Sequence, residues 1–305
     1  MSKVWVTGGT GMVGRALVPA LLKAGHSVTV LSRNPRQAAK VLPAGCQVVA
    51  GDPMVMGEWT HLLSGHDAVI HLAGRNVADK RWTTAFKSEM EDSRIISTRN
   101  LTQAILACSD PPQVFLGASA IGWYGDTGND PVDESSPPSR DFFGSLCERW
   151  ELASAPLEGK LRRVLVRIGV VLKAGQGALA KMDKPIRWGV GGPMAGGRFF
   201  MSWIHLEDLV RLFIWALEKP KISGPINATS PDPVPNGELV RQIASRLRRP
   251  AWFPVPYMVL RLMVGEFARF LCASQRVIPK KAVEAGFDFH FPTIGEALDA
   301  EYPAP

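Results

Sequence analysis

Residues 7–14 have the sequence Thr-Gly-Gly-Thr-Gly-Met-Val-Gly, which is the strongest indication of the fold in this chain. It follows the apolar run Lys3–Thr7, a predicted strand, and opens the predicted helix Met12–Ala24. Glycines in a GxxGxxG pattern permit a tight turn, a close approach of the backbone to a pyrophosphate, and close packing of helix on sheet. The helix N-terminus adds N–H donors for an anion. The stretch predicts a dinucleotide site formed by Gly8, Thr10, Gly11, Met12, Val13 and Gly14.

Further short apolar runs behind the glycine stretch predict the rest of a sheet. Apolar residues at helical spacing in Arg94–Ala107, and more weakly in Phe142–Ala155, predict helices between them. Strands joined through crossover helices pair in parallel with right-handed connections. The predicted fold class is α/β, a Rossmann-type doubly wound parallel sheet. Its further strands are Ser27–Ser32, Gln47–Ala50, Asp67–Leu72, Gln113–Leu116 and Arg163–Ile168.

The sequence changes character after Val170, which predicts a smaller C-terminal, substrate-side region. We predict a Rossmann domain over 1–225, in which 170–204 contributes to the substrate side, and a small α-rich domain over 226–305. Gly175–Gly197 is predicted to be loop-rich and Pro220–Pro235 to form connecting loops. Further helices are predicted at His205–Leu217, Asn236–Leu247 and Pro256–Leu271. The last is predicted as a core or dimer face and not as a membrane element, because Arg261, Glu266 and Arg269 interrupt it, so no membrane partner is expected.

Composition and charge exclude several classes of protein. The chain has 35 Lys and Arg against 28 Asp and Glu, a net charge of +7, but the basic residues are scattered. This favours a phosphate site on a mildly basic surface over a nucleic-acid partner. No apolar run reaches the roughly 18 residues of a membrane span. The four cysteines lack metal-ligand spacing, which predicts a reduced, cytoplasmic protein without a metal site.

The end of the second predicted strand indicates which dinucleotide binds. An NAD site has an acidic residue about 20 residues after the glycine loop, to accept from the ribose hydroxyls. Here the strand ends in Ser32-Arg33-Asn34, without an acid. A guanidinium and a hydroxyl suit a 2′-phosphate, so Ser32 and Arg33 predict NADP(H). The alternative is that Arg33 is an ordinary exposed turn residue.

Two more predicted strands end in candidate cofactor residues. Asp52, after the third, brings a carboxylate to the adenine amino group or, alternatively, makes an Asx-turn before Pro53. Leu72-Ala73-Gly74 ends the fourth, where small residues let the backbone pass beside the cofactor.

Several motifs together resemble the extended branch of the short-chain dehydrogenase/reductase superfamily. The glycine loop, His71–Gly74, Trp123–Asp126 and Trp203–Asp208 match that branch in order. The closer likeness is to an atypical, NAD-dependent epimerase/dehydratase-like subgroup described only as "epimerase family protein". Its marks here are Ala78–Trp82, Leu146–Glu151, Gly191–Pro193 and a C-terminal stretch, Pro250–Leu298, similar to a domain of unknown function.

The resemblance implies a cofactor and some of its contacts. NADPH is the expected ligand, with Ser32 and Arg33 on the 2′-phosphate. Glu89 and Arg94 fall where this subgroup contacts the nucleotide. An ion pair on the helix surface is the alternative for these two residues.

The superfamily's catalytic residues do not match this chain. The family uses a tyrosine, a lysine four residues later, and a serine after the fifth strand. The corresponding positions hold Phe143, Cys147 and Ala120. Tyr124 and Ser119 are the candidate substitutes, although Tyr124 is alternatively a structural tyrosine packed against the substrate loop.

Two functions therefore stay open. The first is hydride transfer or epimerisation on a sugar nucleotide or another carbonyl or hydroxyl compound, the substrate being unidentified. The second is a non-enzymatic NADPH sensor or regulator, since some relatives of this architecture are linked to cell division. Relatives of this architecture often dimerise, so the resemblance also allows a homodimer.

Overall fold

The structure, a computed structural model, describes residues 1–303 as an α/β protein. The strands are β1 (Lys3–Thr7), β2 (Ser27–Ser32), β3 (Gln47–Ala50), β4 (Ala68–His71), β5 (Val114–Ala120), β6 (Pro131–Val132), β7 (Arg162–Ile168), β8 (Val170–Leu172), β9 (Phe200–Met201), β10 (Trp203–His205), β11 (Gly224–Ala228), β12 (Val234–Pro235) and β13 (Arg276–Val277). The α-helices are α1 (Met12–Lys23), α2 (Pro35–Val41), α3 (Thr84–Ala107), α4 (Phe142–Leu152), α5 (Gly177–Arg187), α6 (Leu206–Glu218), α7 (Asn236–Leu247), α8 (Tyr257–Val264), α9 (Phe267–Leu271), α10 (Lys280–Glu284) and α11 (Ile294–Glu301).

A seven-stranded sheet confirms the predicted fold class. Its strand order is β11-β7-β5-β4-β1-β2-β3. The pairs β1–β2, β1–β4, β2–β3 and β4–β5 are parallel, with Val6 opposite both Val30 and Ile70. All four residues of β4 are buried, as expected for a parallel strand covered on both faces.

Two regions predicted as loops contain regular structure. Strand β11, an edge strand of the seven-stranded sheet, lies inside the proline-rich Pro220–Pro235 stretch. Pro225 is tolerated there because an edge strand has one side without a neighbouring strand. Helix α5 lies inside the glycine-rich stretch and buries Leu179 and Ile186. In both regions tertiary packing outweighs the local preference of glycine and proline for turns.

Two helices differ in extent from the prediction. Helix α3 begins ten residues early, at Thr84, because the Thr83 side chain accepts the Phe86 N–H at 3.1 Å and caps it. The predicted helix Pro256–Leu271 is divided into α8 and α9 by Gly265, whose φ of +67° falls in the left-handed region.

The described chain forms two compact units that interleave along the sequence. The first comprises Met1–Ala120, Leu146–Arg167 and Val210–Ile226; the second comprises Ile121–Ser145, Ile168–Leu209 and the chain from Asn227 onward. Each has its own core, centred on Trp5 and Phe115 in the first unit and on Trp203 and Ile243 in the second. The domain boundary near residue 225 stays a prediction.

The described residues contain neither a membrane-spanning helix nor a cluster of metal-ligating side chains. No described helix has the length and apolar character needed to cross a bilayer. Residues 1–303 also contain no group of three or more metal-ligating side chains.

Candidate dinucleotide site

The glycine loop connects β1 to α1 in the first unit, and its glycines are required by close contacts. Gly8 has a φ of +73°, and a Cβ there would lie 2.6 Å from the carbonyl carbon of Leu72. A Cβ on Gly14 would lie 2.5 Å from the Cα of Gly9, so α1 packs directly on the loop. The loop therefore tolerates no side chain at either position, and Gly8 lies against Leu72 and Ala73 at the end of β4. The contacts of these residues with a cofactor stay a prediction.

Gly11 is the part of this loop that is open to a ligand. It is exposed and is the N-cap of α1, with a φ of −74° and no side-chain hydrogen bond at the cap. Its N–H donates to the Gly8 carbonyl oxygen at 3.0 Å. The first turn of a helix leaves N–H groups without intrahelical acceptors, and the first turn of α1 carries no acidic residue. These features fit a diphosphate.

Gly9 contributes a contact that the sequence analysis did not identify. A Cβ on Gly9 would lie 2.7 Å from Cγ1 of Val30 on β2. The second glycine of the run Gly8-Gly9 is the sequence signal for it, since only a residue without a side chain lets the loop approach the neighbouring strand.

The end of β2 presents a cation without a counter-charge. The Ser32 hydroxyl is half-buried and accepts the Asn34 N–H at 3.2 Å, while the Asn34 side chain caps α2 by accepting the Gln37 N–H at 3.1 Å. Arg33 is exposed and forms no ion pair with any residue between 1 and 303. Its guanidinium is thus available to an anionic group beside β2.

Asp52 makes an Asx-turn, which is one of the two roles that the sequence analysis considered for it. Its Oδ1 accepts the Met54 N–H at 2.9 Å, and its carbonyl oxygen accepts the Val55 N–H at 3.0 Å. A contact between Asp52 and the adenine stays a prediction.

Glu89 and Arg94 have separate environments. Glu89 forms ion pairs with Arg75 at 3.5 Å and with Lys80 at 3.6 Å, so its surface ion pair is with the loop before α3 and not with Arg94. Because the side chains of all three residues are 38–54% exposed, these pairs contribute little stability.

Arg94 lies beside the end of β4. A Cβ on Gly74 would be 3.4 Å from Arg94 Cγ, and the guanidinium lies over the Trp150 ring at 5.1 Å. Its Nη1 donates to the Met90 carbonyl oxygen at 3.1 Å, and burial lowers its pKa below the usual value. Since an arginine has five N–H donors, most of them remain for a ligand beside Gly74.

Ser119 is enclosed by a buried ion pair in the first unit. Its hydroxyl donates to Glu151 Oε1 at 2.7 Å. The same carboxylate accepts from Arg167, from Nε at 2.8 Å and from Nη2 at 2.9 Å. All three side chains are buried. The Ser119 hydroxyl is therefore committed to Glu151, and a catalytic role for it stays a prediction.

The two positions where the superfamily has tyrosine and lysine are apolar here. The Phe143 ring packs against Phe270 with 4.0 Å between centroids. Cys147 is buried, and its pKa is raised to about 12 by desolvation and by the charge of Glu151, an effect that Arg94 and Arg167 partly offset. The thiol is neutral at physiological pH and cannot replace the charge of a lysine.

Tyr124 is held by hydrogen bonds within the second unit. It is buried, and its hydroxyl donates to Asn227 Oδ1 at 2.7 Å. The Asn227 side chain donates to the Ile278 carbonyl oxygen at 3.0 Å, and the Asn227 backbone N–H donates to Glu134 at 2.9 Å. This arrangement agrees with the structural interpretation of Tyr124, and its acid–base role stays a prediction.

His71 is a buried polar residue of β4 whose role the sequence analysis did not identify. Its Nδ1 is hydrogen bonded to the Thr7 hydroxyl at 2.6 Å, and its Nε2 is hydrogen bonded to Thr98 at 3.0 Å. Desolvation lowers its pKa to about 4. A histidine in the otherwise apolar run Ala68–Leu72 is the signal for it. It joins the strand that ends in the glycine loop to helix α3.

Because His71 is neutral in the folded protein, stability should fall in acid. With a folded pKa of about 4 and an unfolded value near 6.5, the unfolded chain binds the extra proton between these pH values. Stability from this residue is complete above pH 6.5 and is lost as the pH falls towards 4. We expect His71→Gln to remove about 2 kcal/mol of the difference in unfolding free energy between pH 7.5 and pH 5. Urea unfolding at both pH values measures it.

The control is His61→Gln, because His61 is exposed. This variant should keep the full pH dependence of the wild type. A pH dependence that is the same in His71→Gln and in the wild type would contradict a buried, neutral His71.

Comparison with known proteins places this fold and site in a class. The model of the NAD-dependent epimerase/dehydratase family matches residues 4–145, which include the glycine loop and β1 to β5. A domain of unknown function, DUF1731, matches residues 255–301. The chain thus has the domains of an epimerase/dehydratase-like short-chain dehydrogenase/reductase, as the resemblance predicted.

Relatives identify the family within that class. The chloroplastic epimerase family protein SDR39U1 homologue of Arabidopsis thaliana is 38% identical over 303 residues, covering 97% of this chain and 86% of the relative. Epimerase family protein MT2273 of Mycobacterium tuberculosis is 39% identical over 298 residues, covering 97% and 96%. A crystal structure of human epimerase family protein SDR39U1 with NADPH superimposes with a TM-score of 0.87 at 33% identity, covering 98% of this chain and 99% of that one. The chain belongs to the SDR39U1-like epimerase family proteins.

Proposed function

We propose that this protein binds NADP(H) at the first unit. The diphosphate would lie at the N-terminus of α1, and Ser32 and Arg33 would hold the 2′-phosphate. The observation that carries the proposal is the glycine loop, in which Gly8 and Gly14 leave no room for a Cβ and Gly11 is open. The human relative, crystallised with NADPH, supports the choice of cofactor.

The proposed 2′-phosphate contact predicts a selective loss of affinity. In Arg33→Ala, removal of a charge-assisted bond should weaken NADPH binding by about 5- to 150-fold, equivalent to about 1–3 kcal/mol. NADH has no 2′-phosphate, so its affinity should be unchanged. Fluorescence titration of both cofactors measures the ratio. Arg36→Ala is the control, since Arg36 is exposed three residues further on. If the ratio of the affinities for NADPH and NADH were the same in Arg33→Ala as in the wild type, Arg33 would not hold the 2′-phosphate.

For the reaction, we propose hydride transfer on a carbonyl or hydroxyl compound, with sugar nucleotides as one candidate class. A bound nicotinamide supplies or accepts the hydride. The chain would supply Arg94, which presents free N–H donors beside Gly74, and Tyr124 as the proton donor. Tyr124 would have to release Asn227 before its proton could move to a substrate.

A second candidate is binding of NADPH without turnover, as in a sensor or regulator. Three observations favour it: Phe143 is packed against Phe270, the Cys147 thiol is neutral, and the Tyr124 hydroxyl is already engaged. None of these groups is poised to exchange a proton with a substrate.

Turnover in a Tyr124 variant distinguishes the two candidates. If Tyr124 is the acid, NADPH oxidation over a panel of carbonyl compounds should fall about 100-fold or more in kcat in Tyr124→Phe, with little change in KM. Urea unfolding of the variant separates this loss from misfolding. Unchanged turnover in Tyr124→Phe would remove it as the acid, and no oxidation by the wild type with any carbonyl would favour the sensor.

We also propose that the protein works in the cytoplasm. The four cysteines are free thiols, in accord with a reducing compartment.

A further inference from the structure

The second unit carries an apolar patch that neither the cofactor site nor the core explains. We define it by Trp252, Phe253, Met258, Leu262 and Met263. Trp252 is 81% exposed, Leu262 is 76% exposed, and the other three are more than 60% exposed. Large apolar side chains exposed singly are ordinary, but a run of five within twelve residues marks an interaction surface.

Helix α8 carries three residues of this patch, Met258, Leu262 and Met263. Met258 and Leu262 are four residues apart and share a helix face, whereas Leu260 is the buried residue of the helix. Helix α9 beyond the break at Gly265 is packed, with Phe267 and Ala268 buried. The sequence analysis expected a core or dimer face over this stretch and not a membrane element. In the structure α9 buries Phe267 and Ala268, whereas α8 buries Leu260 and leaves the three patch residues that it carries exposed.

The patch is held in place by backbone hydrogen bonds. The Val255 N–H donates to the Pro193 carbonyl oxygen at 2.9 Å, and the Ala195 N–H donates to the Val255 carbonyl oxygen at 2.9 Å. The segment between α7 and α8 is therefore fixed to residues 193–195, so Trp252 and Phe253 project from an anchored backbone.

Positively charged residues lie within and beside the patch along the chain. Arg248, Arg249, Arg261 and Arg269 are exposed, and none of them forms an ion pair with a described residue. Glu266 is the one acidic residue between positions 248 and 269. The patch thus combines exposed aromatic and aliphatic side chains with a net charge of +3 along its segment.

The positive charge favours one of the two surfaces that could cover the patch, an anionic bilayer, over the other, a second copy of the chain. A second copy in a two-fold dimer would bring the same face, with its four arginines, against itself. Like charges opposed in this way are unfavourable. The surface of an anionic bilayer instead offers phosphates to the arginines and an apolar boundary to the tryptophan, phenylalanine and methionine side chains.

We propose that residues 248–263 dock this protein on a membrane surface rich in anionic phospholipid. Helix α8 lies in the plane of the interface, with Met258 and Leu262 towards the acyl chains and the arginines on the phosphates. The attachment is peripheral. It goes beyond the proposed binding of NADP(H) and does not depend on it.

Vesicle sedimentation of the full chain tests the proposal. We expect the wild type to sediment with vesicles of 70% phosphatidylcholine and 30% phosphatidylglycerol but not with phosphatidylcholine alone. Binding should fall at least tenfold between 0.1 M and 0.5 M NaCl, because salt screens the contacts with the phosphates. Equal binding to both vesicle types, or binding to neither, would overturn the proposal.

Two double variants separate the apolar and the electrostatic contributions. Trp252→Ser with Phe253→Ser, and Arg248→Glu with Arg249→Glu, should each weaken binding at least tenfold. Leu62→Ser with Arg99→Glu is the control, because both residues are exposed and lie in the first unit. Urea unfolding checks that every variant is folded.

Sedimentation velocity tests whether a second copy of the chain, and not a membrane, covers the patch. A dimer of the wild type that Trp252→Ser with Phe253→Ser converts to a monomer would assign the patch to a second copy and overturn the proposal. A mass that is the same for both proteins, together with the vesicle results above, supports the membrane.

Discussion

Replacing Glu151 with glutamine is expected to lower the free energy of unfolding by about 3–5 kcal/mol. Glu151 and Arg167 are joined by two hydrogen bonds at 2.8 Å and 2.9 Å, and both side chains are buried. The substitution leaves the Arg167 guanidinium buried beside a neutral amide. The loss of stability arises mainly because the Arg167 charge is left buried without a partner, and less because its attraction to Glu151 is lost. Urea denaturation at pH 7.5 measures it.

An ion pair of the same first unit whose acidic partner is exposed gives the control. Glu158 pairs with Arg163 at 2.8 Å but its side chain is 74% exposed, so Glu158→Gln should cost less than about 1 kcal/mol. Removing both buried charges, in Glu151→Leu with Arg167→Met, should restore much of the loss because no charge is then left unpaired. A cost below about 1 kcal/mol for Glu151→Gln alone would contradict the buried pair.

Replacing Gly11 with valine is expected to lower the affinity for NADPH at least 100-fold, or about 2.7 kcal/mol. The Gly11 backbone is extended, with a φ of −74° and a ψ of 175°, so a β-branched residue fits the conformation. Its Cβ would lie 3.3 Å from the Gly8 carbonyl oxygen, which is close but can be relieved by a small shift. The new side chain would occupy the space proposed for the diphosphate. Fluorescence titration with NADPH measures the loss.

Another helix-capping glycine controls for the effect of valine on folding. Gly57 is the exposed N-cap of the 3₁₀ helix Glu58–Leu63, and a Cβ there would meet Trp59 at an ordinary 3.8 Å. Gly57→Val should bind NADPH as the wild type does. Gly11→Val should also keep its unfolding free energy within about 1 kcal/mol of the wild type. An affinity within threefold of the wild type would exclude the diphosphate from the glycine loop.

The sequence predicts the parts of the fold that depend on short-range patterns. The glycine spacing of residues 8–14 placed the loop correctly between β1 and α1, because tight turns and close backbone contacts admit no other residue. Strands β1, β2 and β3 have the predicted bounds. The run of apolar residues in each buried strand is a signal that needs no tertiary information.

Elements that form only because of their tertiary surroundings could not be predicted from the sequence. Strand β11 contains a proline and forms only because it lies at the edge of the sheet. Helix α5 forms within a glycine-rich stretch because it buries Leu179 and Ile186 in the second core. A local pattern contains neither fact.

In the candidate site, too, some features can be predicted from the sequence and others depend on tertiary contacts. The absence of an acid after β2 is visible in the sequence, and in the structure Arg33 is exposed and forms no ion pair with a described residue. The partners of Ser119 and Tyr124 are not visible, because Glu151 and Asn227 lie 32 and 103 residues away along the chain. Those partners decide how available each hydroxyl is for chemistry.

A crystal structure of this protein grown with excess NADPH would show directly whether the glycine loop holds the diphosphate. We expect density for the diphosphate at the N-terminus of α1, beside Gly11, and for the 2′-phosphate within hydrogen-bonding distance of Ser32 and Arg33. A nucleotide bound elsewhere, or a 2′-phosphate turned away from Arg33 into solvent, would contradict it.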